Sequence, residues 1–254
     1  MKIIERIILP LITFGFTLLL WQVIIWIKLF PEYLLPSPQN VLDGSLELLR
    51  NKILFEHIGF SLYRISVGYG LAILIAIPMG LLFGWYTRLW TAVDPFVQVL
   101  RPVSPLAWSP LLILWFSLET SPIVIIFIAS FFPVLLATVA AVRNVDPVYL
   151  KVARNFGTSN LDILRKIVVP ASFPYITTGL HIALGAAWIH VIAGEMLGVR
   201  SGLGYLIIDA RNTIRYEQVI TGIIIIGILG LILDRLISFI EKRIRRSWGL
   251  EQNV

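Results

Sequence analysis

The chain has 254 residues, 57% hydrophobic and 14% charged, with a formal net charge of +6 and no cysteine. That apolar excess excludes an ordinary soluble domain, and the missing cysteines exclude disulfides, a thiol nucleophile and Cys-ligated metal. Several runs reach the roughly 20 apolar residues that cross a hydrocarbon core of about 30 Å. The chain therefore reads as an all-α, multi-pass membrane protein of about six transmembrane helices, its positive charge placed in basic inner loops rather than on a nucleic-acid-binding face.

In chain order, Lys2 and Arg6 precede an apolar run, Ile7 to Phe30, too long for the core of a cleaved signal peptide. It reads as an uncleaved first span. A proline-rich turn follows, then an amphipathic helix from Val41 to Leu54 lying along the surface or on the bundle. Ser61 to Trp85 is the second span, with Arg64 near its start and Gly80 and Gly84 spaced for close helix approach. Tyr86 to Pro95 reads as a short polar loop. Phe96 to Leu118 is a broken span, because Pro102, Pro105 and Pro110 fall inside it. Irregular backbone at that depth is tolerated only when buried in protein or lining a cavity. Ile123 to Val142, Phe173 to Leu197 and Val219 to Ile240 are the remaining spans.

Between the fourth and fifth spans lies the longest polar interruption, Asp146 to Pro174. Asp146 can cap a helix whose first turn holds Pro147, and Gly157 can end it in a left-handed turn. Ser159 or Asn160 can cap a second helix, Leu161 to Val169, which stops at Pro170. The result is a knob of helix, glycine elbow and helix.

This stretch resembles the cytoplasmic loop of ABC-importer permeases, whose pattern is Glu-Ala-Ala, three residues, Gly, nine residues, Ile-x-Leu-Pro. Lys151, Val152 and Ala153 stand where Glu-Ala-Ala would, Gly157 keeps the spacing, and Ile167 to Pro170 closes the pattern. Lys151 departs from the family's acid. RPVSPLAWSPLLILWF (Arg101 to Phe116) and GEMLGVRSGLGYLIIDARN (Gly194 to Asn212) are similar to segments of permeases for nitrate, bicarbonate, taurine and alkanesulfonates, as is the last helix, LDRLISFIEKR. The resemblance implies a type I ABC-importer transmembrane domain over residues 55–245. A first helix and connecting segment (1–54) precede it and a cytoplasmic tail (246–254) follows. It implies a permease for a small anion in a bacterial inner membrane. Its partners are then a second permease copy in a homodimer, two ABC ATPase subunits and an external solute-binding protein. No cofactor is expected in this chain, ATP and Mg being held by the ATPase. Importers of another small solute, such as a thiamine precursor, remain an alternative.

Six spans put both termini on one side. With the N-terminus inside, the inner segments hold Lys2, Arg6, Arg88, Arg143, Lys151, Arg154, Arg165, Lys166, Lys242, Arg243, Arg245 and Arg246. The outer ones hold Arg50, Lys52, Arg200, Arg211 and Arg215. Twelve against five favours both termini, and the Gly157 knob, in the cytoplasm.

Charges at membrane depth are costly and carry functional expectations. His181, Trp188 and Glu195 recur every seven residues and share a helical stripe, which either lines a translocation path or merely has its two ends hydrated at the interfaces. Arg101, Pro105 and Trp108 in the broken span are further path candidates, Arg101 as an anion attractor or a snorkelling interfacial residue. His190 reads as a packed or hydrogen-bonded histidine, and Glu195 as a partner for Arg200 or Arg211. An intramembrane enzyme using His181, His190 and Glu195 is the competing class. No His-Glu-x-x-His metal pattern and no phosphate loop occurs, so neither metal catalysis nor ATP hydrolysis is expected in this chain.

Overall fold

The computed structural model describes residues 2–31 and 33–247, with side chains for 8–31 and 33–246. The side chains of Lys2 and Arg6, and the tail from residue 248 on, lie outside the described residues. Among the described residues the structure is helical, without strands. Five helices are long and apolar enough to cross a membrane, or six if one sharply bent pair counts as a span.

Helix α1 (Lys2–Trp26) ends four residues before the expected limit, and no residue of its apolar stretch is fully buried, Trp21, Gln22, Ile24 and Ile25 being half-buried. The amphipathic segment is α2 (Pro38–Arg50), capped by Ser37, whose hydroxyl accepts from the Asn40 amide. Leu54 belongs instead to α3 (Ile53–Trp85), which begins eight residues before the expected Ser61. At 1.5 Å per residue its 33 residues span about 50 Å, well beyond the hydrocarbon core. The expected loop at Tyr86–Pro95 is mostly helix: α4 (Thr87–Leu100) starts one residue after α3 ends and buries Trp90 and Val97. The break in the third crossing is sharper than proline placement alone suggests. After Arg101–Ser104 a 3-10 turn, Pro105–Trp108, leads into α5 (Ser109–Trp115), and this arm is bent 80° from α4.

Helix α6 (Ser121–Arg143) is the centre of the bundle, packed between α3 and α9 (Val169–Glu195). The glycines of α3 make the first contact possible. A Cβ on Gly80 would meet the Thr138 Cβ at 2.5 Å, and one on Gly84 the Val142 Cβ at 2.6 Å. The Gly-x-x-x-Gly pair is thus a helix contact, driven by close packing rather than by water exclusion.

The knob consists of α7 (Pro147–Asn155) and α8 (Asn160–Ile163), but Pro170 does not end its second helix. Leu164–Val168 winds as a π-turn, the Val169 amide bonds the Leu164 carbonyl, and the chain continues directly into α9. Pro170 is the second residue of α9, directly after the π-turn, a position near a helix start where proline is tolerated. The segment before the last span, read as a loop, contains α10 (Leu203–Asn212), and α11 (Tyr216–Ser247) exceeds the expected last span at both ends. Ser45 of α2 and Thr221 of α11 share a 2.9 Å hydroxyl bond, and Glu47 pairs with Arg215 beside it, fixing α2 to the first turns of α11. Glu47 also raises the Arg215 guanidinium pKa further above its ordinary value.

Candidate functional site

The knob has the local structure that its residues dictate. Asp146 Oδ1 accepts from the Val148 amide at 2.8 Å, and Ser159 Oγ accepts from the Asp162 amide at 3.2 Å. At the elbow Gly157 has φ +72°. Its amide bonds the Arg154 carbonyl, and the Thr158 amide bonds the Ala153 carbonyl. This is the paired closure of a helix ending in a left-handed residue, which glycine adopts without a Cβ penalty. Ala153 and Ile163 are buried against Val142, Val145 and Val168, with Ile167 packed on the same cluster, so the knob is anchored to the ends of α6 and α9. Pro170 is half-buried at the start of α9.

The opposite side of α7 is exposed. Lys151 and Val152 face solvent, and beside Val152 stand two residues the sequence did not single out, Tyr149 and Phe156. Phe156 is 85% exposed. At 100° per residue, Tyr149, Val152 and Phe156 fall within about 60° on one side of α7, forming an apolar tip left exposed among the described residues. The spacing i, i+3, i+7 is the signal that could have found it.

At the other end of the bundle is a buried charge cluster. Arg64 Nη1 donates to Glu195 Oε1 at 2.9 Å and to the Ser201 carbonyl at 2.8 Å. Its Nη2 donates to Glu119 Oε2 and to Ser201 Oγ, both at 2.6 Å. Glu195, only 1% exposed, also accepts from Ser61 Oγ and from the Gly204 amide in the first turn of α10. Ser61 in turn accepts from the Leu203 amide. The carboxylate therefore sits on the positive end of α10 as well as on Arg64. Gly202 and Gly204 make room: a Cβ on the first would run into the Glu195 carboxylate, and one on the second into the Ile192 carbonyl. Glu195 thus pairs with Arg64, not with Arg200 or Arg211, both of which are exposed. A cation eleven residues into an apolar helix needs an interior acid, and that was the available clue.

His181, Trp188 and Glu195 do share one stripe of α9, but it is closed over by the chain's own helices. His181 bonds Asp234 and Glu241 of α11 through its two ring nitrogens, at 2.9 and 3.2 Å. Trp188 Nε1 donates to the Ile226 carbonyl of α11 at 3.1 Å, and Glu195 meets α3 and α10. Helical periodicity identifies a shared face but not what covers it. His190 lies on another face, with Nδ1 2.8 Å from the Ala186 carbonyl. His181, His190 and Glu195 therefore do not converge, and among the described residues no three His, Asp or Glu side chains are placed to hold a metal.

The flank facing away from this stripe holds a cleft of about 360 Å³. Arg101 and Pro105 at the elbow of the broken span, Phe132 of α6, and Ile182 and His190 of α9 line it. Trp108 is half-buried one turn beyond Pro105. No acidic side chain lines the cleft, and Arg101 has no ion-pair partner among the described residues.

Residues 70–246 match the family described as binding-protein-dependent transport system inner membrane component. The chain belongs to this family. The permease is 36% identical over 253 residues to the nitrate import permease protein of Leptolyngbya laminosa, covering 96% of this chain and 89% of that one. It is 31% identical over 246 residues to the taurine transport system permease protein of Escherichia coli K12, covering 94% and 90%. Among solved structures, a chain of the inward-facing MetNI methionine ABC transporter superposes with a TM-score of 0.60 at 18% identity, covering 77% of the permease and 95% of that chain. The shared fold is that of a type I ABC-importer transmembrane domain. The permease is therefore a multi-pass inner-membrane subunit of an ABC importer, whose ATPase and solute-binding protein are separate partners.

Proposed function

We propose that the permease moves a small oxyanion or organic sulfonate between two copies of itself, driven by two ATPase subunits that hold ATP and Mg and grip the Gly157 knobs. The observation that carries the coupling is the tip of α7. Tyr149, Val152 and Phe156 are exposed apolar side chains on a capped, anchored helix, where an apolar groove on a partner would bury them. Closure of the ATPase dimer would pull the knobs, and because the π-turn runs without a break into α9, the pull reaches the central helices. Lys151, Val152, Ala153, Gly157, Ile167 and Pro170 form the coupling element, to which Tyr149 and Phe156 are added here.

The flank cleft supports the anion class. It offers Arg101 and His190 against apolar walls and no competing carboxylate, which suits a small solute with one negative charge. Arg101, Pro105 and Trp108 are the path residues of this reading. His181, Trp188 and Glu195 hold the bundle that moves. The names of the relatives, nitrate and taurine, fit the same chemistry. The test is uptake by proteoliposomes containing the permease, its ATPase and its binding protein. Nitrate or taurine should accumulate only with ATP, and a neutral solute or thiamine precursor accumulating instead would discard the anion assignment while keeping the importer.

A further inference from the structure

Beside the knob, at the end of the bundle where α3 and α6 end and α4 begins, is a second groove of about 360 Å³. Its walls carry Arg143 from the end of α6, Arg154 from α7, Thr87 from the start of α4 and Asn160 from α8, over a floor that includes Trp85 and Leu150. No acidic residue lines it. The nearest acids are engaged: Asp146 caps α7, and Asp162 pairs with Lys166 at 2.8 Å. Neither arginine has an ion-pair or hydrogen-bond partner among the described residues. Arg143 lies over the Trp90 ring, 5.7 Å from its centroid, so one face of the guanidinium is held and its N–H edge is left for a ligand. The first turn of α4 has no side-chain cap and adds its own positive end.

We infer that this groove binds a phosphate group, and that the group belongs to an anionic lipid of the leaflet on this side. Two forked cations, an amide and a hydroxyl suit a tetrahedral anion. Trp85, half-buried at the end of α3, marks the depth at which indole rings meet lipid headgroups, and basic pockets between membrane helices on the cytoplasmic side hold such headgroups. The groove is distinct from the coupling tip: Arg154 is about 160° around α7 from Val152. A lipid seated there would touch α4, α6, α7 and α8 together and brace the knob against the broken span.

The full chain, stripped of lipid in detergent, is titrated with phosphatidylglycerol and with phosphatidylcholine by native mass spectrometry, and with inorganic phosphate by calorimetry. The unmodified chain should retain phosphatidylglycerol preferentially. R143Q/R154Q should lose about 25-fold in affinity, a factor of about five for each arginine. R165Q/R243Q, which removes the same charge elsewhere, should lose little. Arg143 and Arg154 are exposed and only the stacking of Arg143 on Trp90 is lost, so the variants should unfold within a few degrees of the parent chain, and R143K/R154K retains the charge if the glutamine pair does not fold. Binding of inorganic phosphate without lipid preference, lost in R143Q/R154Q, would keep the phosphate site and assign it to a free anion. Equal losses in the two double variants would overturn the site. So would weakened ATPase association with lipid retention unchanged, which would give the groove to the ATPase interface.

Discussion

Arg64 and Glu195, 131 residues apart in sequence, meet at 2.9 Å inside the bundle, and the guanidinium extends past Glu195 to Glu119 in the loop before α6. One cation thus joins α3, α9, the start of α10 and the end of the broken span. The two acids are not equivalent. The Glu195 side chain is fully enclosed, whereas that of Glu119 is 59% exposed.

That asymmetry sets the first prediction. Arg64→Ala leaves the Glu195 carboxylate buried without its counter-charge, at a cost of about 3–5 kcal/mol. Glu119→Gln disturbs a solvated pair worth at most about 1 kcal/mol. Thermal unfolding in detergent and the amount of protein in the membrane should both fall sharply for the first and scarcely for the second. Comparable losses would mean that Glu119 carries the pairing.

Gly204→Ala tests the same cluster from the backbone side. The new Cβ would run into the Ile192 carbonyl and approach the Glu195 Cβ at 2.8 Å, so the first turn of α10 must lift away from the carboxylate. Losing that amide bond and the close packing should cost about 2 kcal/mol or more. Gly185→Ala on α9, where a Cβ meets nothing within 4 Å, is the matched control and should be near neutral. Equal stability of the two variants would contradict the close approach of α10.

The apolar runs made the long helices legible, because hydrophobic length alone sets a membrane crossing. The knob was legible too, since Asp146, Ser159 and Gly157 act on backbone groups within a few residues. What the sequence did not show is tertiary. Helix α4 was hidden because Thr87, Arg88, Thr91 and Asp94 make its exposed side look like a loop, while Trp90 and Val97 are buried only by their neighbours. Helix α10 was hidden by Gly202 and Gly204, which serve close approach to Glu195 rather than a turn alone. The partner of Glu195 could not be chosen from several arginines by spacing, and the covering of His181 and Trp188 by α11, and of Glu195 by α3 and α10, leaves no trace in the α9 sequence.

Arg101 supplies a third prediction. It stands at the 80° elbow, has no ion-pair partner among the described residues and lines the flank cleft. Arg101→Gln should lower anion uptake about tenfold, in line with loss of roughly 1–2 kcal/mol of anion stabilisation, without changing assembly with the ATPase. Arg200→Gln on the exposed loop before α10 should leave transport near normal. Equal uptake by both variants would remove Arg101 from the path.

The coupling tip gives the last prediction, and it separates two ways of failing. At Gly157 a Cβ would meet nothing within 4 Å, so any penalty comes from φ +72° and not from crowding. Gly157→Ala should cost about 1 kcal/mol locally, and Gly157→Val more, because a β-branched residue is an outlier at positive φ. Both should insert normally, since the anchor of Ala153, Ile163 and Val168 is untouched. Phe156→Ser keeps the backbone and removes the most exposed apolar contact of the tip. If an ATPase groove buries that ring, the change forfeits about 1.5–3 kcal/mol, or roughly 10- to 150-fold in subunit affinity. Pull-down of the ATPase and uptake should be measured on the same preparations. Gly157→Val should reduce both by misaiming the tip, and Phe156→Ser should reduce both by removing the contact, with permease levels unchanged. Normal uptake in both variants would take α7 out of the coupling path and leave the importer to be driven through another surface.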